Sequence, residues 1–447
     1  MRSEAGLLLV ILALQTLQAA GSPYLEVSKL VSPSGIEQVI MRDEYALLKT
    51  GEGLVLLEGS SGRNLNIGEG RLIDGKGAFF QSGGRLYEIS GGGAREVAKC
   101  GDCTFFPYSS ERYAMSNREG LTLRMDGEEI RVMLRPRPQI GKWSDEGNYF
   151  AALSGSTLYV VSERGIIWSV SLTTQVFDID LSKDLVILTT KNCEIYAYRI
   201  GKGVAWTNRL CGCCIPLKLA SSSEIVAVAL QGEELVLLDP STGRVVQRVS
   251  IPAYSVQVHD GLIAALDSGG VVHVLADSSK LEVEGKSSGA LLTWDLPTWL
   301  RGELIYEAGG RISISRRSFI PLTPGNVTLR LKDPNGVEVR REVVVKPLEV
   351  TLTPEGDVKV RGDGELSVRA QGRTYEGERV RVDTGFLPQY TVEILNYGVP
   401  IGKYSCYNSR FTMVALAAVL VAISALVLAK GFLASGSRGT YGPGAEG

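Results

Sequence analysis

The chain has 447 residues, of which 44% are hydrophobic and 21% charged, a composition typical of globular proteins. Its 47 Lys and Arg nearly balance its 49 Asp and Glu, so we expect no nucleic-acid partner. The length allows two or three domains. The 52 glycines, well above the usual share, favour many short strands joined by tight turns.

The first residues are typical of an export signal. Arg2 precedes an apolar run over residues 7–20, and Ala19, Ala20 and Gly21 provide small residues for cleavage after Gly21. Two glutamines interrupt the run and shorten it below the ~17 residues that a spanning helix needs. We predict a signal peptide over 1–21 that is removed, with an uncleaved anchor as the alternative.

The strong candidate for a membrane span lies near the C-terminus. Residues 411–429 carry no charge and end at Lys430, and as a helix they would cover ~28 Å, close to the hydrocarbon thickness of a bilayer. Tyr404 and Tyr407 precede them, as interfacial aromatics do. We predict a juxtamembrane segment over 401–410, a transmembrane helix over 411–429 and a short cytoplasmic tail over 430–447. With the export signal, this predicts a single-pass protein of the cell membrane whose bulk is extracytoplasmic.

One pattern recurs along most of the chain. A small or polar turn is followed by a strand of alternating apolar residues, and eight copies follow one another at intervals of 32 to 40 residues. The copies begin at Gly53, Gly84, Gly120, Ser156, Glu194, Glu234, Val271 and Arg311, and the intervals are counted between Leu54, Leu86, Leu121, Leu158, Ile195, Leu235, Val272 and Ile312. A second turn keeps the same phase, at Ser110-Glu111, Ser144-Asp145, Ser182-Lys183-Asp184 and Ser223-Glu224. Ser and Asp favour such turns because their side chains bond nearby backbone groups.

A repeat of this size makes a sheet too small to cover its own two faces. Packing the copies around an axis buries those faces, so we predict a β-propeller of seven or eight blades over 23–317, with an irregular β-sandwich as the alternative. The last copy is short, and we expect residues 25–30 to supply its missing outer strand and close the ring.

The repeat resembles a known family. Residues 235–249 read Leu-Val-Leu-Leu-Asp-Pro-Ser-Thr-Gly-Arg-Val-Val-Gln-Arg-Val, similar to the repeat of PQQ-like (quinoprotein-like) propellers. In that family an Asp-x-x-Thr-Gly turn joins two strands and a Trp often docks onto the next blade. Weaker copies surround Trp168 and Trp206, but Gln247 stands where the Trp would be, and the Ser/Asp turns equally resemble WD40-like repeats. The resemblance implies a fold and not an activity.

The pattern of the sequence changes near residue 322. Seven short alternating segments follow within about 80 residues, with Asp333-Pro-Asn-Gly as a hairpin turn between the first two. They span residues 327–332, 337–345, 348–352, 358–360, 366–370, 379–382 and 390–395. We predict an Ig-like β-sandwich over 318–400 that acts as a stalk, although the Cys…Trp…Cys signature is missing.

The cysteines are the most unusual chemistry in the sequence. In an oxidising compartment we expect disulfides among six of them, with metal binding or redox function as alternatives and the pairing left open. The six are Cys100, Cys103, Cys193, Cys211, Cys213 and Cys214, and Cys406 is the seventh. Cys100-Gly-Asp-Cys103 has redox-like spacing but lies in a connector between blades, and Thr104 excludes haem attachment.

No catalytic, cofactor-binding or metal-binding residue is predicted, and no cofactor. His273 lies in a repeat strand and is expected to be structural, whereas His259 precedes an Asp260-Gly261 turn. Asp178 and Asp180 would share one face of a strand and are expected to be solvated. In quinoprotein dehydrogenases of the resembling family a vicinal disulfide stacks on the quinone, which would give Cys213 and Cys214 a role, but the family's other site residues have no match here.

Asn326-Val-Thr is the sequon for N-glycosylation, and we expect it in an exterior loop. The leading hypothesis is a non-enzymatic cell-surface binding or scaffold protein that presents a propeller to a surface protein or glycan. The alternatives are an accessory subunit of an envelope assembly or transport complex, and a quinoprotein-like dehydrogenase or other propeller enzyme.

Overall fold

The computed structural model describes residues 23–59, 61–65, 67, 69–90, 93–210, 216–231, 233–306, 310–385 and 388–435. The predicted signal peptide over 1–21 lies outside these residues, as does the end of the predicted tail. The described chain is mostly β-strand, with a 3₁₀ turn at Ser278–Lys280 and one long helix at the C-terminus.

Seven four-stranded antiparallel sheets follow one another in the described residues, and we number them blades 1 to 7. In blades 1 to 6 the strands are neighbours in chain order, with the first strand innermost. Blade 1 comprises Ile36–Met41, Tyr45–Thr50, Gly53–Glu58 and Ser61–Leu65, and blade 2 Arg71–Asp74, Ala78–Ser82, Arg85–Ser90 and Gly93–Lys99. Blade 3 comprises Thr104–Pro107, Arg112–Asn117, Gly120–Met125 and Glu128–Val132, and blade 4 Ile140–Trp143, Phe150–Ser154, Thr157–Ser162 and Gly165–Ser171. Blade 5 comprises Val176–Ser182, Leu185–Thr190, Glu194–Arg199 and Gly203–Arg209, and blade 6 Pro216–Ser221, Val226–Leu230, Leu235–Leu238 and Val245–Val249.

Blade 7 joins the two ends of the repeat region. Its inner strands are Ala253–His259, Leu262–Asp267 and Val272–Asp277, and its outermost strand is Tyr24–Leu30, which pairs antiparallel with Val272–Asp277. The innermost strands of neighbouring blades lie side by side around the ring, including those of blades 7 and 1. The fold is therefore a closed β-propeller, as predicted.

The prediction that the N-terminal strand closes the ring is confirmed, but its predicted partner is wrong. The strand of the eighth copy, Gly310–Ile314, pairs with Gly302–Tyr306 in a separate sheet that also includes Gly325–Lys332 and Glu338–Val345. Seven sheets already complete the circle, so an eighth repeat-like strand has no gap to fill.

Apolar side chains between adjacent blades form the core of the ring. Between blades 5 and 6, Ile187, Ile195, Val228 and Val236 are fully buried against one another. Between blades 1 and 2, Leu47 and Phe80 belong to an equivalent cluster. Each such side chain contributes roughly 1.5–3 kcal/mol of burial free energy, so the alternation seen in the sequence holds neighbouring blades together.

The remaining strands follow blade 7. A three-stranded sheet comprises Leu281–Lys286, Gly289–Trp294 and Arg317–Pro321. Two further sheets lie in the region predicted to be a sandwich: Glu349–Leu352, Asp357–Arg361 and Arg379–Arg381 form one, and Leu366–Ala370, Arg373–Glu376, Gln389–Asn396 and Val399–Tyr407 the other. Both sheets contribute to one buried cluster, which includes Val360 and Val392. The Ig-like topology and the domain boundaries stay predictions.

The C-terminal helix runs from Ser409 to Ser435 and contains the predicted span over 411–429. Its segment Ser409–Lys430 has a mean hydropathy of 2.7 and is long and apolar enough to cross a membrane. None of the residues in its most apolar stretch is buried. The predicted juxtamembrane segment over 401–410 is largely strand, because Val399–Tyr407 forms the edge of a sheet.

Candidate functional site: the inner-turn face of the propeller

The innermost strands bring charged side chains together around the axis of the ring. Arg42, which follows the innermost strand of blade 1, is buried and donates to Asp74 Oδ1 of blade 2 at 2.6 Å and to the carbonyls of Gly75 and Gly77. Gln257 of blade 7 donates to Asp74 Oδ2 at 3.0 Å and accepts from the Met41 amide at 2.8 Å. These bonds join blades 7, 1 and 2.

Asp178 and Asp180 lie on one face of the innermost strand of blade 5, as predicted, but the expectation that they are solvated is wrong. Both are buried, and each accepts a bond from the backbone of blade 6: the Leu219 amide lies 3.1 Å from Asp178 Oδ2, and the Ser221 amide 2.6 Å from Asp180 Oδ2. Sequence alternation predicts that the two residues share a face but not that this face lies against blade 6.

The two carboxylates of blade 5 are matched by lysines of the flanking blades. Lys218 Nζ lies 3.5 Å from Asp178, and Lys142 Nζ lies 3.9 Å from Asp180. The charge of Asp180 raises the pKa of Lys142 although burial opposes it, whereas burial raises the pKa of Asp178 despite the nearby lysines. The two lysines balance the two carboxylates, and the carboxylates also accept bonds from the backbone of blade 6. We therefore assign these four residues the role of holding neighbouring blades together.

The turns between the first and second strands of all seven blades lie on one side of the ring, which we call the inner-turn face. Among the described residues these turns carry eight exposed carboxylates, against two exposed lysines, Lys76 and Lys183. The carboxylates are Asp43, Glu44, Glu111, Asp145, Glu146, Asp184, Glu224 and Asp260. These inner turns are therefore strongly acidic, although the whole chain carries a formal net charge of only −2.

The opposite side of the ring is nearly balanced in charge. Its turns join the second and third strands of each blade, and their described residues carry exposed acidic groups at Glu52, Glu119 and Glu233 and exposed basic groups at Arg118 and Lys191. The excess of negative charge thus belongs to the inner turns and not to the turns between the second and third strands. Several of the Ser residues noted in the sequence shape these acidic turns: Ser144 Oγ, for example, accepts from the Tyr149 amide at 3.1 Å.

A cavity of about 360 Å³ opens on the inner-turn face where blades 6, 7 and 1 meet. Its lining is mostly polar, and the residues from Asp295 to Pro297 form one side of it. This segment is fixed by the Trp299 indole, which donates to the Arg42 carbonyl at 2.7 Å, and by the Thr298 amide, which donates to the Asp43 carbonyl at 3.3 Å. The cavity is lined by Asp43, Ser222, Ser223, Glu224, Asp260, Gly261, Leu262, Lys280, Asp295, Leu296, Pro297 and Arg316.

His259 ends the innermost strand of blade 7 and directly precedes Asp260, which lines this cavity. Its Nε2 is 3.5 Å from Asp43 Oδ1 and 3.5 Å from Asp260 Oδ2, is buried, and makes no hydrogen bond. The sequence placed His259 beside a turn but gave no signal that Asp43 lies against it. The two residues are far apart in the chain and meet only because the ring closes.

His273 is structural, in keeping with the prediction. It lies between two carboxylates, with Nδ1 2.7 Å from Glu26 Oε1 and Nε2 3.1 Å from Asp267 Oδ2. Burial alone would lower the pKa of His273, but the bonds to these carboxylates outweigh it and raise the pKa. Because Glu26 lies on the N-terminal strand and His273 on its partner, this ion pair supports ring closure.

Cys100 and Cys103 form a disulfide, with Cα atoms 5.6 Å apart, in the connector between blades 2 and 3. Cys193 is buried in the core between blades 5 and 6, and Cys406 lies on the edge strand Val399–Tyr407. The other three predicted disulfide candidates, Cys211, Cys213 and Cys214, lie outside the described residues. Their pairing stays a prediction.

Asn326 is exposed, as glycosylation requires, but it lies near the start of the strand Gly325–Lys332 and not in the expected loop. An exposed Asn at the end of a strand is accessible much as it would be in a loop. The glycosylation of Asn326 stays a prediction.

The outermost strands of blades 4 to 6 contact the element that follows each of them in the ring. The Trp206 indole of blade 5 donates to the Pro240 carbonyl of blade 6 at 2.8 Å, within the turn that begins at Asp239. Trp168 of blade 4 packs on Tyr198 of blade 5, with ring centroids 5.8 Å apart. At the same position in blade 6, Gln247 hydrogen-bonds the backbone of the N-terminal strand instead.

No protein-family model matches the sequence, and no curated protein matches it either. Among solved structures, the WD40 β-propeller domain of Doa1 is similar at 13% identity and a TM-score of 0.47, over 57% of this chain and 97% of that chain. BBS1N in complex with ARL6DN is similar at 13% identity and a TM-score of 0.47, over 57% and 97%. BamB from Moraxella catarrhalis is similar at 14% identity and a TM-score of 0.38, over 57% and 98%. At these identities the likeness concerns the fold alone.

Proposed function

We propose that this chain is a membrane-tethered binding protein whose propeller receives a positively charged protein segment on the inner-turn face. The observation that carries the proposal is the unequal charge of the turns on the two sides of the ring. Eight exposed carboxylates in the inner turns would attract Lys- and Arg-rich segments and repel acidic ones. The balanced opposite side offers no such preference.

The cavity between blades 6, 7 and 1 adds shape to this charge. A concave site that holds several carboxylates can accept an extended basic side chain more readily than a flat surface can. Glu224 is engaged by Lys280 at 2.9 Å, whereas Asp43 and Asp260 are exposed at the cavity mouth. We place the centre of the binding surface at this end of the inner-turn face.

The helix Ser409–Ser435 supports tethering to a membrane, with the propeller on the extracytoplasmic side as the proposed location. A chain that ends at Arg410 lacks the apolar helix and should therefore remain soluble without detergent. It keeps the buried bonds from Asn408 to the Thr384 and Gly385 carbonyls, so its fold should be retained. The full chain should fractionate with membranes. Recovery of the full chain in the soluble fraction would refute the tether.

Binding is tested with full-length protein in a neutral detergent and a fluorescent oligolysine peptide, with an oligoglutamate peptide as the reference. We expect fluorescence anisotropy to report saturable binding of the oligolysine only. The affinity should fall steeply as salt is added, since screening shortens the reach of exposed charges.

A matched pair of triple variants separates the inner-turn face from net charge. Glu44→Lys, Glu111→Lys and Glu146→Lys together reverse three exposed charges of this face and should abolish binding. Glu52→Lys, Glu119→Lys and Glu233→Lys change the net charge equally on the opposite side and should leave binding largely intact. Equal losses in both triples would mean that the chain's overall charge, not this face, attracts the peptide.

We also propose that the repeats are of the PQQ-like type. The support is the Trp206 contact with the turn Asp239–Gly243, in which Asp239 Oδ1 accepts from the amides of Ser241 and Thr242 at 2.9 and 2.8 Å. This is the arrangement that the resemblance implies. Related sequences that keep the Trp and the Asp-x-x-Thr-Gly turn in adjacent blades would support this assignment. Related sequences that lack both motifs would count against it.

A further inference from the structure

We infer that His259, Asp43 and Asp260 form a binding site for a divalent transition-metal ion, of which Zn²⁺ is the best fit. The site goes beyond the proposed partner binding, because it requires only residues of this chain. It lies at the junction where the first and last blades of the ring meet.

The geometry of the three donors suits an ion at their centre. A tetrahedral zinc ion holds nitrogen and oxygen ligands at roughly 2.0–2.2 Å, which places the ligand atoms ~3.4 Å from one another. His259 Nε2 is 3.5 Å from Asp43 Oδ1 and 3.5 Å from Asp260 Oδ2, and all three donor atoms lie within 4.8 Å of one another. Small side-chain movements suffice to bring them to coordinating distance.

The burial of the imidazole nitrogen is a second indication. Nε2 of His259 is buried and has no hydrogen-bond partner, although two carboxylates face it at distances slightly too long for a hydrogen bond. A buried polar atom without a partner is costly, and an ion between the three groups would satisfy it. An imidazole ligand favours zinc and similar transition metals over Mg²⁺ and Ca²⁺, which prefer oxygen.

Three protein ligands leave one position open. Asp43 and Asp260 both line the cavity, so the fourth ligand of a tetrahedral ion would be water or a group from the cavity side. The ion would link the inner turn of blade 1 to that of blade 7, and it would offset two of the exposed negative charges of the inner-turn face. Since the unfolded chain separates these ligands, binding should stabilise the folded ring.

The test uses the full-length protein in detergent, with purification tags removed and metal stripped by a chelator. We expect isothermal titration to show one zinc ion per chain at this site and the melting temperature to rise with zinc concentration. His259→Gln and Asp43→Asn should each lower zinc affinity at least about tenfold, as loss of a ligand does. Asp184→Asn removes an equal charge from the same face and should leave zinc binding unchanged.

Cobalt substitution distinguishes this site from the cysteines. Co²⁺ held by one nitrogen and two carboxylates gives ligand-field bands without thiolate charge transfer, and His259→Gln should remove those bands. Zinc or cobalt binding that persists in a His259→Gln, Asp43→Asn double variant would overturn the inference. So would tighter binding of Ca²⁺ than of Zn²⁺, or no metal binding at all.

Discussion

The side-chain amide of Gln247 bonds both backbone groups of Tyr24. Its Oε1 accepts from the Tyr24 amide at 2.7 Å, and its Nε2 donates to the Tyr24 carbonyl at 2.9 Å. Blade 6 thereby holds the first residue of the strand that completes blade 7. The ring is closed by strand pairing inside blade 7 and also by this contact between blades.

Replacing Gln247 should therefore weaken ring closure. Gln247→Leu removes both bonds and leaves the two backbone groups of Tyr24 without these partners, at a cost of about 1–3 kcal/mol. We expect a lower free energy of unfolding in urea and faster hydrogen exchange over Tyr24–Leu30. Gln175→Leu, an exposed site in a connector, serves as the control. Unchanged exchange in the N-terminal strand of Gln247→Leu would contradict this role.

The Glu26–His273–Asp267 cluster should make stability depend on pH. Burial tends to raise the pKa of both carboxyls, but bonds to His273 and, for Asp267, to the Val271 amide lower them overall; the pKa of His273 is raised. The carboxylates stabilise the fold above their unfolded pKa values of about 4 and lose this effect as pH falls. His273 contributes fully below its unfolded pKa of about 6.5 and loses its effect as pH rises through its higher folded pKa.

His273→Gln should accordingly be most damaging between about pH 4.5 and 6.5, where both kinds of group are charged. There it leaves the buried Glu26 without its cation, at a cost of about 3 kcal/mol. Lys29, 3.5 Å from Glu26 and half-exposed, moderates the loss. Urea unfolding of wild type and variant at several pH values measures the difference, with the exposed Lys76→Gln as control. A difference that widens above pH 8 would contradict the assignment.

The contact of Trp206 with Gly243 predicts different effects at two similar glycines. Gly243 and Gly201 have φ values of +70° and +73°, but a Cβ at Gly243 would overlap the Trp206 ring, whereas one at Gly201 meets open space. Gly201→Ala should cost only the left-handed backbone penalty, about 1 kcal/mol. Gly243→Ala should cost a further 1–3 kcal/mol or so from overpacking.

Thermal unfolding of the two glycine variants measures this gap. In a Trp206→Leu background the indole is gone, so the gap between the variants should narrow. A gap of the same size in both backgrounds would show that Trp206 is not its cause.

Asp178 should respond differently to removal of its charge and removal of its hydrogen bond. Burial raises its pKa, so the ionised form destabilises the fold as pH rises through that value. Asp178→Asn keeps an acceptor for the Leu219 amide without the charge and should be close to neutral in stability at pH 7. Asp178→Ala leaves the amide unpaired and should cost about 1–3 kcal/mol. Equal destabilisation by both variants would show that the charge itself is needed.

Much of the fold could be predicted because each blade repeats one alternation. The phase of Leu86, Leu158 and Leu235 gave the third strands of their blades, since an apolar face recurs wherever a sheet packs on its neighbour. The partner of Tyr24–Leu30 could not be predicted in this way. Strands with the same alternation look alike in sequence. Which of them pairs with the N-terminal strand depends on how many sheets complete the ring.

The candidate site was harder to predict than the fold. The Ser/acid turns were visible, but their collection on one side requires knowing that the first turn of every blade faces the same way. Asp43 and His259 carry no shared motif or spacing, and they meet only through ring closure. Arg42, buried against the turn of blade 2, looks in sequence like an ordinary surface arginine.

Because Tyr24–Leu30 pairs with Val272–Asp277, this strand is synthesised long before its partner. More than 200 residues must emerge before its partner exists. Until then it is an unpaired β-edge, open to pairing with another chain. Shielding this strand during synthesis should therefore raise the yield of folded protein.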